Sequence, residues 1–159
     1  MIIDKKHISW AALLVLIGAV IMLGSCGDNK AAPDGATIMF IEQGISLKGL
    51  TADTPVNLDL VLRAADGTPL PNTDVKITGT YAVPSPAGSY QFYYYPGATT
   101  VSNTAVDSGF TAQTDKNGVY SFSILVYQFA SGGTTTNTFT DTIQAISGTA
   151  AGSISLSVQ

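Results

Sequence analysis

From Thr37 onward, apolar and polar residues alternate along much of the chain. A period of two is typical of a β-strand with one face buried and the other in solvent. It is clearest in the stretches Val56–Arg63, Asp74–Tyr81, Val119–Tyr127 and Ser153–Val158. None of this part has the 3.6-residue period of an amphipathic helix. Strands with one apolar face must bury that face, so the pattern predicts antiparallel sheets packed on each other.

Turn-forming residues separate these runs and support the same interpretation. Asp66-Gly67, Asn117-Gly118 and Gly132-Gly133 are dipeptides that favour tight turns. Shorter apolar runs occupy 38–41 and 139–146. Together they predict an all-β sandwich of seven to nine strands over residues 37–159. A domain of about 120 residues buries roughly two-thirds of its surface, which is enough to fold without disulfides.

The first 26 residues differ in composition from the rest. Lys5 and Lys6 precede an apolar run from Ile8 to Met22. This run is shorter than the ~20 residues that a membrane-spanning helix needs. A basic start, a short apolar stretch and small residues after it are typical of a secretion signal that is cleaved off. An uncleaved N-terminal membrane anchor is the alternative.

The end of this leader carries a specific motif. Leu23-Gly24-Ser25-Cys26 resembles the lipobox of bacterial lipoproteins, and Cys26 is the only cysteine of the chain. The resemblance implies cleavage between Ser25 and Cys26, and a diacylglyceryl thioether on Cys26 whose new amine is usually acylated. Two or more acyl chains hold a protein stably on a bilayer. A lone cysteine placed here by chance is the alternative reading.

The resemblance also sets the expected domain organisation and location. Residues 1–25 are the predicted lipoprotein signal peptide, 26–36 the lipidated cysteine with a flexible linker, and 37–159 the sandwich. The linker is expected to be flexible because it is polar and contains Pro and Gly. By resemblance to sorting rules in bacteria with two membranes, an Asp directly after the cysteine would retain the protein at the inner membrane. That position is Gly27, which favours the outer membrane.

Composition excludes several classes of function. The net charge is −4 and charged residues make up only 11%, against about 25% in typical domains, so the chain is not expected to bind nucleic acid. Cleavage before Cys26 would remove His7, the only histidine. Catalytic pairs of Ser or Cys with His are then excluded, and no catalytic residue and no cofactor besides the covalent lipid is predicted. An enzyme would need a buried Asp–Glu or Ser–Lys pair.

Calcium is the one metal for which the sequence offers candidate ligands. Oxygen donors occur in or near predicted turns, at Asp66, Asp107, Asp115, Asn117 and Asp141. Asp and Asn also favour turns for purely structural reasons, because their side chains bond the local backbone. The structural explanation is preferred, and no metal site is predicted.

A second resemblance covers about half of residues 50–159. An alternating strand at Val56–Arg63, the turn Ala65–Asn72 and a further strand at Val75–Ile77 are similar to bacterial Ig-like repeats of the invasin and intimin type (Big-1). Thr114–Phe122 resembles the turn and strand of the same family, and the closing strands resemble its last hairpin. The resemblance implies an Ig-like fold. Carboxypeptidase-regulatory and transthyretin-like sandwiches share such patterns and stay open as alternatives.

The segment Tyr90–Tyr95 is the most unusual local feature, with five aromatic residues in six positions. Alternation places Tyr90, Phe92 and Tyr94 on one face of a strand, and Tyr93 and Tyr95 on the other. One set can fill the core, whereas the other can serve an interface, because Tyr is common in binding patches. Packing within the sandwich is the preferred explanation. Tyr90, Tyr93 and Tyr95 are the candidate binding residues.

These patterns predict a lipid-anchored protein of the bacterial envelope. Its Ig-like domain is expected to act as a non-catalytic interaction, adhesion or accessory module. The predicted partners are the membrane, through the lipid, and an envelope protein or a glycan. The alternative is a module that binds glycans or small ligands through Tyr90–Tyr95.

Overall fold

The computed structural model describes residues 30–81, 90–93, 109–129, 133 and 135–159. These residues form nine β-strands and no helix, and so none that could cross a membrane. The strands are β1 (Thr37–Phe40), β2 (Ile45–Leu47), β3 (Thr54–Arg63), β4 (Asp74–Tyr81), β5 (Tyr90–Tyr93), β6 (Phe110–Gln113), β7 (Val119–Val126), β8 (Phe139–Ser147) and β9 (Ala150–Val158). The prediction of an all-β fold is confirmed.

The strands form two sheets that pack as a sandwich. The four-stranded sheet has the order β1-β3-β7-β5, and the five-stranded sheet has the order β2-β9-β8-β4-β6. This arrangement matches the two sheets of the immunoglobulin fold. In the first sheet, β1, β3, β7 and β5 correspond to strands A, B, E and D. In the second sheet, β9, β8 and β4 correspond to strands G, F and C. The predicted Ig-like sandwich is therefore confirmed. All neighbouring strands are antiparallel except β2 and β9, which run parallel.

The core consists of the apolar positions that alternate along the strands. The large side chains that are wholly buried include Leu58, Leu60 and Leu62 of β3, Val75 and Ile77 of β4, Ile124 and Val126 of β7, Ile143 of β8 and Leu156 of β9. Neighbouring strands within each sheet place these apolar residues side by side. Leu58 of β3 lies opposite Phe122 of β7, and Ile143 of β8 lies opposite Ile154 of β9. β3, β4, β7 and β9 thus bury the face that their alternating pattern predicts.

The first part of the domain is divided between the two sheets. β1 pairs with β3, whereas β2 pairs with β9 in the other sheet. β1 also comes very close to β9 of the other sheet, at Gly152. A Cβ atom there would lie 2.6 Å from the carbonyl oxygen of Ile38. Gly152 is thus required by space, since its own backbone conformation is ordinary.

Residues Lys30–Ala36, which precede β1, are packed against the sandwich. The carbonyl oxygen of Lys30 accepts a hydrogen bond from the N–H of Asp74 at 2.9 Å. The N–H of Ala32 donates to Oγ of Ser147 at 3.0 Å, and that hydroxyl donates onward to the carbonyl of Asp74. Ala32 and Ala36 are buried. The prediction of a flexible linker over 26–36 is therefore wrong for residues 30–36, and 26–29 lie outside the described residues.

The sandwich has two poles, which differ in what they carry. The proximal pole consists of residues 30–36 and the turns 64–73, 114–118 and 148–149, which connect β3 to β4, β6 to β7 and β8 to β9. The distal pole consists of the loop 48–53 and the C-terminal Gln159, whose backbone pairs with Leu47 and Gly49. β9 runs from the proximal to the distal pole in nine residues. At about 3.3 Å per residue, the poles are roughly 26 Å apart.

Candidate functional site

Tyr90, one of the candidate binding residues, lies in the core. It is the first residue of β5 and is only 2% exposed. Its ring stacks on Phe139 with a centroid distance of 5.9 Å and meets Phe92 edge-on at 6.2 Å. The assignment of Tyr90 to a binding surface is therefore wrong. Its burial agrees with the preferred explanation, in which Tyr90 and Phe92 share the inward face of the strand.

The hydroxyl group of Tyr90 joins the two sheets through a buried hydrogen bond. It donates to Oδ2 of Asp141 at 2.5 Å, and Oδ1 of Asp141 accepts the N–H of Thr142 at 2.7 Å. Asp141 is 3% exposed and belongs to β8, whereas Tyr90 belongs to β5 in the other sheet. A buried carboxyl group is costly unless it is hydrogen-bonded. This hydrogen bond therefore satisfies the carboxyl group and links β5 of one sheet to β8 of the other.

Phe92 is the centre of an aromatic cluster inside the sandwich. Its ring is wholly buried and lies 5.1 Å from Phe110 and 6.1 Å from Phe122, in edge-on contacts. Tyr120 stacks on Phe122 at 6.1 Å. Such contacts add about 0.5–1.5 kcal/mol each beyond area burial. The aromatic residues that the structure describes in this region thus stabilise the fold.

The other candidate residues fall outside what the structure describes. Tyr93 is the last residue of β5, and its backbone lies opposite Ser123, but its side chain is outside the described part. Tyr95 and the sequence that follows it to residue 108 are outside as well. The same holds for Ser25 and Cys26. Tyr93, Tyr95, Ser25 and Cys26 therefore stay predictions.

Asp115 organises the turn between β6 and β7. Its Oδ1 accepts hydrogen bonds from the N–H groups of Val119 at 2.9 Å and Asn117 at 2.8 Å. These bonds favour the ionised form, and the one from Val119 contributes most to lowering the pKa of Asp115 below its ordinary value of 3.8. This is the structural role that Asp has in turns.

Asp66 has the same role in the turn between β3 and β4. Its Oδ1 accepts the N–H of Thr68 at 2.9 Å and the hydroxyl of Thr68 at 2.7 Å. The backbone hydrogen bond is the main cause that lowers the pKa of Asp66. Asp66 and Asp115 thus lie in separate turns and Asp141 lies in the core, while Asp107 is outside the described residues. Within the described part, no group of three or more Asp, Glu, His or Cys side chains could hold a metal ion.

A shallow depression of about 210 Å³ lies on the outer face of β8 and β9. It is lined by Gln144, Ile146, Ala151, Gly152 and Ser153. None of these side chains is ionisable, so the depression offers no group for acid–base chemistry. Ile146 is 43% exposed there. The depression can offer apolar contact and amide or hydroxyl hydrogen bonds.

Comparisons with known proteins add little to this picture. No family model matches the chain, and no curated protein is similar to it. Among solved structures, the chain is similar to AggA, the major subunit of aggregative adherence fimbriae type I from Escherichia coli. The identity is 16%, the alignment covers 83% of this chain and all of AggA, and the TM-score is 0.35. At that TM-score the two structures superimpose only loosely, and the similarity bears on neither activity nor partner.

Proposed function

We propose that the chain is a lipid-anchored protein of the bacterial envelope whose Ig-like domain acts through surface contact, as an interaction, adhesion or accessory module. The observation that carries the proposal is the sequence Leu23-Gly24-Ser25-Cys26, which resembles a lipobox and follows a basic and apolar leader. It stands only four positions before Lys30, where the described domain begins. The motif and the domain together favour a protein that is exported and held at a membrane.

A non-catalytic role is the part of the proposal that concerns the domain. After Ser25 the chain has no histidine, and its one cysteine is the proposed lipid site. Asp66 and Asp115 bond their own turns, and Asp141 bonds Tyr90 in the core. Nucleophilic catalysis needs a nucleophile beside a free base. The charge of the chain also argues against nucleic acid as a partner.

The proposed location is the outer membrane rather than the inner membrane. The position after Cys26 is Gly27, and Asp28 follows one residue later. A retention signal for the inner membrane would place the acidic residue directly after the cysteine. We therefore expect the lipidated protein to fractionate with outer-membrane material.

Metabolic labelling with a palmitate analogue tests the anchor. The wild type is expected to incorporate label and to run as the shortened chain on gels. Cys26→Ala removes the sulfur and should give an unlabelled chain that keeps its leader. Ser25→Ala keeps a small residue before the cysteine, so this control should be labelled like the wild type. A wild type without label would refute the proposed anchor.

We also propose, as a second candidate, that the aromatic segment binds neutral glycans. Because Tyr90 and Phe92 are buried, sequence alternation assigns Tyr93 and Tyr95 to the other face, where rings can stack on sugars. Tyr93→Ala combined with Tyr95→Ala should then abolish retention on a glycan array at an unchanged melting temperature. Tyr90→Ala, as the contrasting variant, should lower the melting temperature. A wild type that retains no glycan would exclude this candidate.

A further inference from the structure

The packed segment before β1 determines where the chain leaves the domain. If residues 30–36 were a free linker, the domain would start at Thr37 and could tumble on a tether. Instead the segment is fixed by the bonds of Lys30 and Ala32 and by the burial of Ala32 and Ala36. Asp34 adds a contact to Thr149 in the turn between β8 and β9, at 3.2 Å. The chain therefore leaves at the proximal pole, beside the start of β4.

The covalent length from this exit point to the lipid is short. Only Gly27, Asp28 and Asn29 separate Cys26 from Lys30. Four residue steps span at most about 14 Å when fully extended, at 3.3–3.6 Å each. The poles are roughly 26 Å apart along β9. A domain tethered in this way cannot turn its distal pole to the bilayer, because the tether is shorter than the domain.

We propose that the proximal pole lies against the headgroup layer of the bilayer into which the lipid of Cys26 inserts, with the distal pole pointing away. This inference rests on the proposed lipid anchor. The exposed turn residues at this pole carry both signs of charge, including Asp66 and Lys116. Such a surface can lie on zwitterionic headgroups without net repulsion.

The orientation decides which parts of the domain can meet a partner. β4 ends at the distal pole, because Tyr81 lies opposite Asp141 near the start of β8. β5 begins there, because Tyr90 lies opposite Val126, which in turn lies opposite Thr54. β7 also ends there, and β8 begins there. These four strand ends thus face away from the membrane. A partner of this protein is therefore expected to bind at the distal pole or on the sides of the sandwich.

Fluorescence quenching in vesicles tests the orientation. Lys116 and Lys48 are exposed residues at the proximal and the distal pole, and form a matched pair for Lys116→Cys and Lys48→Cys. In the lipidated protein the sulfur of Cys26 is a thioether, so the introduced cysteine is the only thiol available for a dye. The proteins are reconstituted into phosphatidylethanolamine and phosphatidylcholine vesicles that contain a lipid with a nitroxide on its headgroup.

The expected result is several-fold stronger quenching of the dye at position 116 than at position 48. A flexible Gly-Ser insertion between Asn29 and Lys30 should remove this difference and leave lipidation intact. Equal quenching at both positions, or stronger quenching at 48, in a protein that is acylated and floats with the vesicles would overturn the orientation and leave the anchor standing. A protein without acyl label that does not float would overturn both.

Discussion

Single side chains in this domain act mainly on stability. The hydroxyl of Tyr90 satisfies the buried carboxyl group of Asp141 across the two sheets. Replacing Tyr90 by Phe keeps the ring stacked on Phe139 and removes only the hydrogen-bond donor. We expect a loss of about 1–3 kcal/mol in the free energy of unfolding, because the buried carboxyl group loses one of its hydrogen bonds. Urea unfolding of Tyr90→Phe measures this loss.

A double-mutant cycle provides the control for this prediction. Asp141→Ala removes the acceptor, and the two changes combined should cost less than the sum of the single changes. Strict additivity, or a Tyr90→Phe variant as stable as the wild type, would show that the hydrogen bond contributes nothing to stability.

The turn at Asp115 leads to a prediction about pH. The pKa of Asp115 is lowered in the folded chain, chiefly by the N–H of Val119. A group with a depressed folded pKa stabilises the fold above its unfolded pKa, and this contribution is lost as the pH falls through the folded value. Asp115 should therefore contribute to stability at neutral pH and lose that contribution at pH values below 3.8. NMR titration of its carboxyl carbon measures the folded pKa directly.

Asp115→Asn serves as the matched variant for this titration. The amide oxygen can still accept hydrogen bonds in the turn but does not titrate. Its stability should vary less than that of the wild type in the acidic range. A measured pKa at or above 3.8 would contradict the role given to the Val119 hydrogen bond.

At the scale of elements, the close passage of β1 over β9 depends on Gly152. A side chain there would meet the backbone of Ile38. Because backbone cannot move aside as a flexible side chain can, we expect Gly152→Ala to destabilise the fold by about 1–3 kcal/mol. Gly44→Ala is the control, since its added Cβ would come close to the hydroxyl of Ser155, at 3.2 Å, and meet backbone only at an ordinary contact distance of 3.9 Å. Thermal unfolding of both variants checks the difference, and equal melting temperatures would contradict it.

The strands differ in how well the sequence could predict them. Alternation located β4 at the bounds observed, and β3 and β7 within about two residues, because each buries a face of apolar side chains. The apolar run 139–146 located β8 within one residue. Alternation could not predict that β2 pairs in parallel with β9. β2 has three residues, too few for a period, and its partner lies more than one hundred positions along the chain. Register between such strands is fixed by packing rather than by local pattern.

The candidate site was predictable only in part, for a similar reason. The period of two correctly placed Tyr90 and Phe92 on one face, which is now seen to be buried. It could not supply the partner of the Tyr90 hydroxyl, because Asp141 is 51 residues away. Listing Tyr90 among binding residues followed from the amphipathic character of tyrosine, and burial of both ring and hydroxyl overrides it.

For the whole molecule, the main correction is where the folded domain begins. Residues 30–36 contain polar residues, Pro and Gly, a composition typical of linkers. They are held through backbone groups and two small alanines, which leave almost no trace in a hydrophobic pattern. The hydroxyl of Ser147 accepts a hydrogen bond from the N–H of Ala32 and donates one to the carbonyl oxygen of Asp74. Neither hydrogen bond can be predicted from the sequence. Only the tertiary structure therefore shows that residues 30–36 belong to the folded domain.

A domain that begins at residue 30 should be more stable than one that begins at residue 37. Truncation to residues 37–159 removes the hydrogen bond from Asp74 to Lys30 and the one from Ala32 to Ser147. It also removes the buried side chains of Ala32 and Ala36. With each bond contributing about 1 kcal/mol net, we expect the free energy of unfolding to fall by about 2–3 kcal/mol relative to residues 30–159. Urea unfolding of the two forms measures the difference.

Ser147→Ala should lower the free energy of unfolding of the longer form more than that of the shorter one, because only the longer form has Ala32 to bond. If the two forms unfold at the same urea concentration, residues 30–36 contribute no stability and would not hold the domain close to its anchor.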